Sequence, residues 1–145
     1  KVLKAVKLAN DKVVDNRAEE DMSIEKEFMK YISIAKKDLK KIESIYIKLV
    51  NKKVNSKKTS ESKIEELERL DVTEEIDRTN SHFNQILLSV KSKDLSGKKI
   101  SFILQEINRE SNTILSKFLD KNIAKHAISL KMQAEKLREQ VSNIL

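Results

Sequence analysis

Two glutamates, Glu106 and Glu110, stand one helical turn apart in the stretch 98–117, KKISFILQEINRESNTILSK, and Thr113 and Lys117 continue the same stripe. Carboxylates at that spacing can share a hard divalent cation such as Mn²⁺ or Mg²⁺, which favours oxygen ligands and keeps several waters. A cation held there could lower the pKa of a water or stabilise charge on a phosphodiester during cleavage. Lys117 would then offer its charge to the scissile phosphate. The competing reading is electrostatic: Glu106 pairs with Arg109 at i+3, and Glu110 pairs across to a basic helix. Like charges one turn apart cost about a few tenths of a kcal/mol, so both readings call for a compensating positive charge.

A second constellation lies upstream in Asp71, Glu75, Arg78 and His82. Glu75 and His82 are seven residues apart and stack on one helix side with Arg78 between them. His82 adjoins Phe83 at the edge of an apolar face, and a histidine near its ordinary pKa of about 6.5 suits proton transfer. The structural alternatives are a helix cap for Asp71, which we favour, and a hydrogen-bonded boundary residue for His82. Gln105, Asn108 and Asn112 form a third group, whose amides suit phosphate or base contacts as well as interhelical bonds. His126 sits among Lys125, Ala127 and Ile128, has no acidic companion, and reads as structural.

Charge points to a polyanion. The net charge is +7, and the segment 36–58 alone holds nine lysines against Asp38 and Glu43. Lys52, Lys53, Lys57 and Lys58 fall in its polar end, a natural place for nucleic-acid phosphate contacts. The segment 61–77 is the reverse, eight acids against Lys63 and Arg69. The bland alternative is a pair of solvated faces that attract one another or a neighbouring subunit. Aromatic residues are only 4%, too few for base-stacking platforms, so any nucleic-acid contact would be mostly ionic.

Other classes drop out. There is no Walker A loop, dinucleotide fingerprint, HExxH, zinc spacing, or Ser or Cys nucleophile motif. Zero cysteines exclude a disulfide framework and fit a cytoplasmic setting. No apolar run nears the roughly 20 residues of a membrane span. The chain opens on Lys1, which suggests a piece of a longer product.

The elements that must position these residues are helices. One glycine and no proline in 145 residues argue against β-rich turns. The expectation is an all-α protein of long antiparallel helices, a bundle or coiled-coil-like hairpin that associates into an oligomer. Phe28, Ile32, Ala35, Leu39, Ile42, Tyr46 and Leu49 repeat in steps of 4 and 3, and Ile123, Ala127, Leu130, Ala134, Leu137, Val141 and Ile144 do so again. In the central stretch Ile100, Ile103, Leu104, Ile107, Ile114, Leu115 and Phe118 share one face. Residues 1–22 read as a truncated helix and a connection, with Ser23 as N-cap of a domain covering 23–145. Residues 51–62 read as a mobile lysine-rich loop, and 91–99, with Gly97, as the clearest break. Whether 119–122 interrupts the last helix is open.

FILQEINRESNTILSK, with DVTEEIDRTNSHF upstream and LREQVSNI downstream, resembles the carboxy-terminal half of the YicC/YloC family of bacterial endoribonucleases. The likeness is strong from Asp71 onward and weaker over 16–54, where NRAEED is its main mark. It implies a metal-dependent enzyme that cuts single-stranded RNA and assembles as a hexameric ring. The implied site draws on Glu75, His82, Glu106, Arg109, Glu110, Asn112 and Lys117. Within it we assign Glu75, Glu106 and Glu110 to the metal, and His82, Glu106, Glu110 and Lys117 to catalysis. RNA contacts go to Arg78, Arg109, Asn108, Asn112 and the four lysines named above. The sequence departs from the family pattern at Ser101, where an acid is usual, at Glu20-Asp21, and at Arg78-Thr79-Asn80. The family's amino-terminal domain has no counterpart in these residues.

Overall fold

The computed structural model describes residues 1–56, 60–93 and 96–144. It is all-helical, with α1 (Val2–Val54), α2 (Glu61–Arg69), α3 (Thr73–Lys91), α4 (Gly97–Lys117) and α5 (Lys121–Ile144). No described residue lies in a strand. None of the described helices is long and apolar enough to cross a membrane.

Two compact units divide the chain after Lys30. Residues 1–30 belong to α1, and their side chains are almost all exposed, Val2, Leu3, Val6, Val13 and Val14 included. The expected cap at Ser23 does not form, because α1 runs unbroken through that position. Without Gly or Pro from 1 to 54 nothing in the chain stops the helix, and Ser23 costs only a few tenths of a kcal/mol inside one.

In residues 31–145 the apolar stripes close a core. Ile32, Ala35, Leu39 and Ile42 of α1 are buried, as are Phe83 and Ile86 of α3, Ile103, Ile107 and Ile114 of α4, and Ile123, Leu130 and Leu137 of α5. Fully burying such a side chain contributes about 1.5–3 kcal/mol. α4 packs on both α3 and α5, which makes it the centre of the unit. The stripe on α1 loosens at its end, where Tyr46 and Leu49 are only half-buried. α2 buries no side chain and is tied to α1 by Lys53 Nζ, 2.8 Å from Glu66 Oε1.

Local chemistry sets the breaks. Asp120 Oδ1 accepts the backbone N–H groups of Asn122 (2.8 Å) and Ile123 (3.0 Å), an N-cap that starts α5 and separates it from α4. The helix is therefore interrupted at 118–120, while Lys121 and Asn122 already belong to α5. At the end of α3, Lys93 takes a left-handed conformation (φ 54°) that turns the chain, a position where glycine would be easier. Of the polar stretch 51–62, expected as a loop, α1 takes 51–54 and α2 takes 61–62, while 57–59 lie outside the described residues.

Candidate metal centre

The site grows from the way α3 lies on α4. Residue numbers rise along one helix as they fall along the other: Glu75 meets Lys117, and Arg78 meets Glu110. Each polar side chain stands beside a buried apolar neighbour, Glu75 by Ile76, His82 by Phe83, and Glu110 one turn from Ile107 and Ile114. Burying those apolar faces carries the adjoining polar groups to the margin of the core. Glu75 and Glu110 go furthest, at 5% and 6% exposure.

One ring nitrogen of His82 and one carboxylate oxygen each of Glu106 and Glu110 lie within 4.8 Å of one another. Among the described residues this is the group of three or more such donors able to hold a metal ion. Two features of these residues fit a cation. His82 Nδ1 is buried without a hydrogen-bond partner, a state costly for a polar atom unless something else satisfies it. Two carboxylates with one imidazole are also a donor set that a divalent ion takes.

Glu75, which the sequence reading placed among the metal ligands, is not in that group. Its Oε1 lies 2.6 Å from Lys117 Nζ, and Lys117 also donates to the backbone carbonyl of Asp71 at 2.9 Å. Glu75 Oε2 is buried with no partner. Arg78 reaches both ways, to Glu74 with one guanidinium nitrogen and to Glu110 Oε1, 3.5 Å away, with another. Thus the compensating charge for Glu110 is Arg78.

The remaining candidates scatter. Arg109 and Asn112 are exposed, and Asn112 accepts a bond from Lys131 (2.7 Å). Asn108 Oδ1 is buried without a partner. Lys52 is exposed, Lys53 is engaged by Glu66, and Lys57 and Lys58 lie outside the described residues. His126 does have an acidic companion, contrary to the sequence reading: Asp38 of α1 brings Oδ1 to 2.8 Å from His126 Nδ1, and Ser129 donates to Asp38 Oδ2 at 2.5 Å. Eighty-eight positions separate Asp38 from His126, a distance that helical periodicity cannot bridge.

Tyr46 is the residue that sequence reasoning missed, filed there as one more apolar position on α1. Its hydroxyl donates to Asp71 Oδ1 at 2.8 Å, and its ring meets Phe118 edge-on at 5.8 Å between centroids. Both partners flank Lys117, one through its carbonyl and one as its chain neighbour. Asp71 also receives the Thr73 N–H (2.9 Å) and hydroxyl (2.6 Å), so it caps α3 from one position ahead of the formal N-cap, Val72. Those Thr73 bonds, with help from Tyr46, hold the Asp71 carboxyl below its usual pKa. Burial, and then the bond to Asp71, push the Tyr46 phenol above its own. Glu74 bonds Arg78 instead of closing a reciprocal cap with Asp71.

Residues 24–145 match "Endoribonuclease YicC-like, C-terminal", and the chain belongs to that family, the one its motif blocks resemble. It is 40% identical over 77 residues to a Haemophilus influenzae protein named Probable endoribonuclease YicC, covering 53% of this chain and 27% of that one. To a protein of the same name from Clostridioides difficile it is 47% identical over 73 residues, 50% of this chain and 25% of the other. The matched stretch is therefore about a quarter of each relative's length.

Proposed function

We propose that this chain is the cation-holding helical part of an endoribonuclease that cuts the phosphodiester bonds of single-stranded RNA with Mn²⁺ or Mg²⁺. The observation that carries the reading is the meeting of His82, Glu106 and Glu110 within 4.8 Å. The name of the family supports RNA as the substrate. When bound, the cation would supply Lewis acidity toward a phosphoryl oxygen and a more acidic water. Glu106 and Glu110 hold it by their carboxylates. His82 contributes a ring nitrogen, so in this reading it serves as a ligand before it serves as a proton carrier.

Lys117, further along α4, has two of its three N–H donors committed, to Glu75 and to the Asp71 carbonyl. Its third donor suits a phosphate oxygen. Exposed lysines of α1, Lys37, Lys40, Lys41 and Lys48, suit the flanking RNA backbone through charge alone. The reading extends to a cytoplasmic homo-oligomer of long antiparallel helices, a ring of six by family resemblance.

The test is cleavage of an end-labelled single-stranded RNA with Mn²⁺ or Mg²⁺, then with EDTA, beside a Glu106→Ala/Glu110→Ala variant. Metal-dependent cutting that the variant loses is the expected result. Equal cutting by a correctly assembled variant overturns the reading. A second reading, a non-catalytic RNA-binding module, rests on the same exposed lysines and on the short share of the relatives that is matched. It expects salt-sensitive RNA binding and no cutting. A purely structural helical oligomer would do neither.

A further inference from the structure

We infer that Arg78 is a built-in competitor of the cation: its guanidinium holds Glu110 until a metal ion displaces it, and the released fork then takes an RNA phosphate. The inference rests on the cation reading above and adds to it a coupling between metal occupancy and RNA binding.

Glu110 is the carboxylate in contention. Its side chain is 8% exposed, and a carboxylate so placed needs a positive partner. Arg78 Nη1, 3.5 Å from Glu110 Oε1, is that partner. Yet Glu110 is also one of the three clustered donors, so a metal ion and Arg78 ask for the same carboxylate. Two positive charges on one buried oxygen pair repel, and the more mobile one yields. Arg78 is 55% exposed and its other contact, Glu74, is 69% exposed, so it can swing outward on Glu74 without unpacking anything.

An arginine freed in this way has a definite chemistry. Its planar guanidinium matches the paired oxygens of a phosphodiester, where a lysine offers only a point charge. Released beside a cation site, it would stand where the RNA backbone comes closest to Glu106 and Glu110. Linkage makes the effect reciprocal: if metal frees Arg78 for RNA, RNA that engages Arg78 favours metal by the same factor. Glu75 and Lys117 have no part in the exchange, because their mutual bond leaves the Glu110 carboxylate untouched.

The experiment measures Mn²⁺ binding by electron paramagnetic resonance for the parent, Arg78→Gln and Arg78→Lys. It also measures the affinity of a 2′-O-methyl oligonucleotide, which resists cutting, with and without Mn²⁺. Both variants are expected to bind Mn²⁺ roughly two- to fivefold more tightly, the size of a partly exposed ion pair. Lysine keeps the charge but cannot span Glu74 and Glu110 at once, so Arg78→Lys separates direct competition from charge at a distance. Mn²⁺ should tighten oligonucleotide binding in the parent and lose most of that effect in both variants. Parent-like Mn²⁺ affinity in Arg78→Lys overturns the inference, as does a Mn²⁺ effect on the oligonucleotide that both variants retain. A parent that binds no Mn²⁺ removes the cation reading itself, and the inference falls with it.

Discussion

Lys117 and Glu75 lie 42 positions apart in the chain, yet Nζ and Oε1 stand 2.6 Å from each other across α3 and α4. The contact sets a boundary within the site. On one side Lys117 pairs with one oxygen of Glu75; on the other, Arg78 pairs with Glu110, which shares a cluster with His82 and Glu106. The pair is also anchored from α1, since Tyr46 grips Asp71 and abuts Phe118.

Removing one member of that pair should cost more than removing both. Lys117→Met leaves Glu75 buried and unpaired, at a cost of about 1–3 kcal/mol. Adding Glu75→Gln to the same chain should recover part of the loss. Urea unfolding of the single and double variants measures this, and an additive double variant would mean that the two groups do not interact.

Loss of a donor should weaken the cation. His82→Ala is expected to lower Mn²⁺ affinity by roughly tenfold or more, since even groups behind a ligand are commonly worth that much. The parent should gain thermal stability with Mn²⁺, about 2.7 kcal/mol at a hundred times the Kd. A His82→Ala protein with parent-like Mn²⁺ affinity and melting shift would remove His82 from the centre.

Stability should depend on pH at both ends of the scale through Asp71 and Tyr46. The Asp71 pKa is depressed in the fold, so its contribution is present above the unfolded value of about 3.9 and is lost as pH falls through the folded one. The Tyr46 pKa is raised, so its contribution is present below about 10 and is lost as pH rises through the higher folded value. Asp71→Asn should flatten the acid limb of a melting-temperature profile, and Tyr46→Phe the alkaline limb. Unchanged limbs would show that these bonds do not matter in solution.

RNA binding should fall with salt in proportion to the phosphates neutralised. Wherever Lys37, Lys40, Lys41 or Lys48 meets a phosphate, its change to glutamine should make the slope of log K against log salt shallower by about 0.7. Fluorescence anisotropy on a single-stranded RNA at several salt concentrations measures the slope. A slope that the fourfold variant retains would move the interface off α1.

Helices and the polar stripe of α4 were legible in the residues alone. Absent proline and a single glycine leave a chain of this composition little but helix, and the 4-and-3 spacing marks which side of each helix is buried. The one-turn spacing of Glu106 and Glu110 follows from helix geometry. The family was legible too, because its motif blocks are contiguous in the chain and can be read without knowledge of the fold.

Who stands opposite whom was settled by packing. Glu75 and His82 share a side of α3, but the register of α3 on α4 gives one a lysine and the other two glutamates. That register depends on how the buried faces of two helices fit, and no periodicity within either helix encodes it. The same holds for His126, whose partner Asp38 comes from α1, and for Tyr46, whose hydroxyl has a role only because Asp71 lies in reach. Helix faces are local properties of a chain, whereas charge pairs between helices are properties of packing.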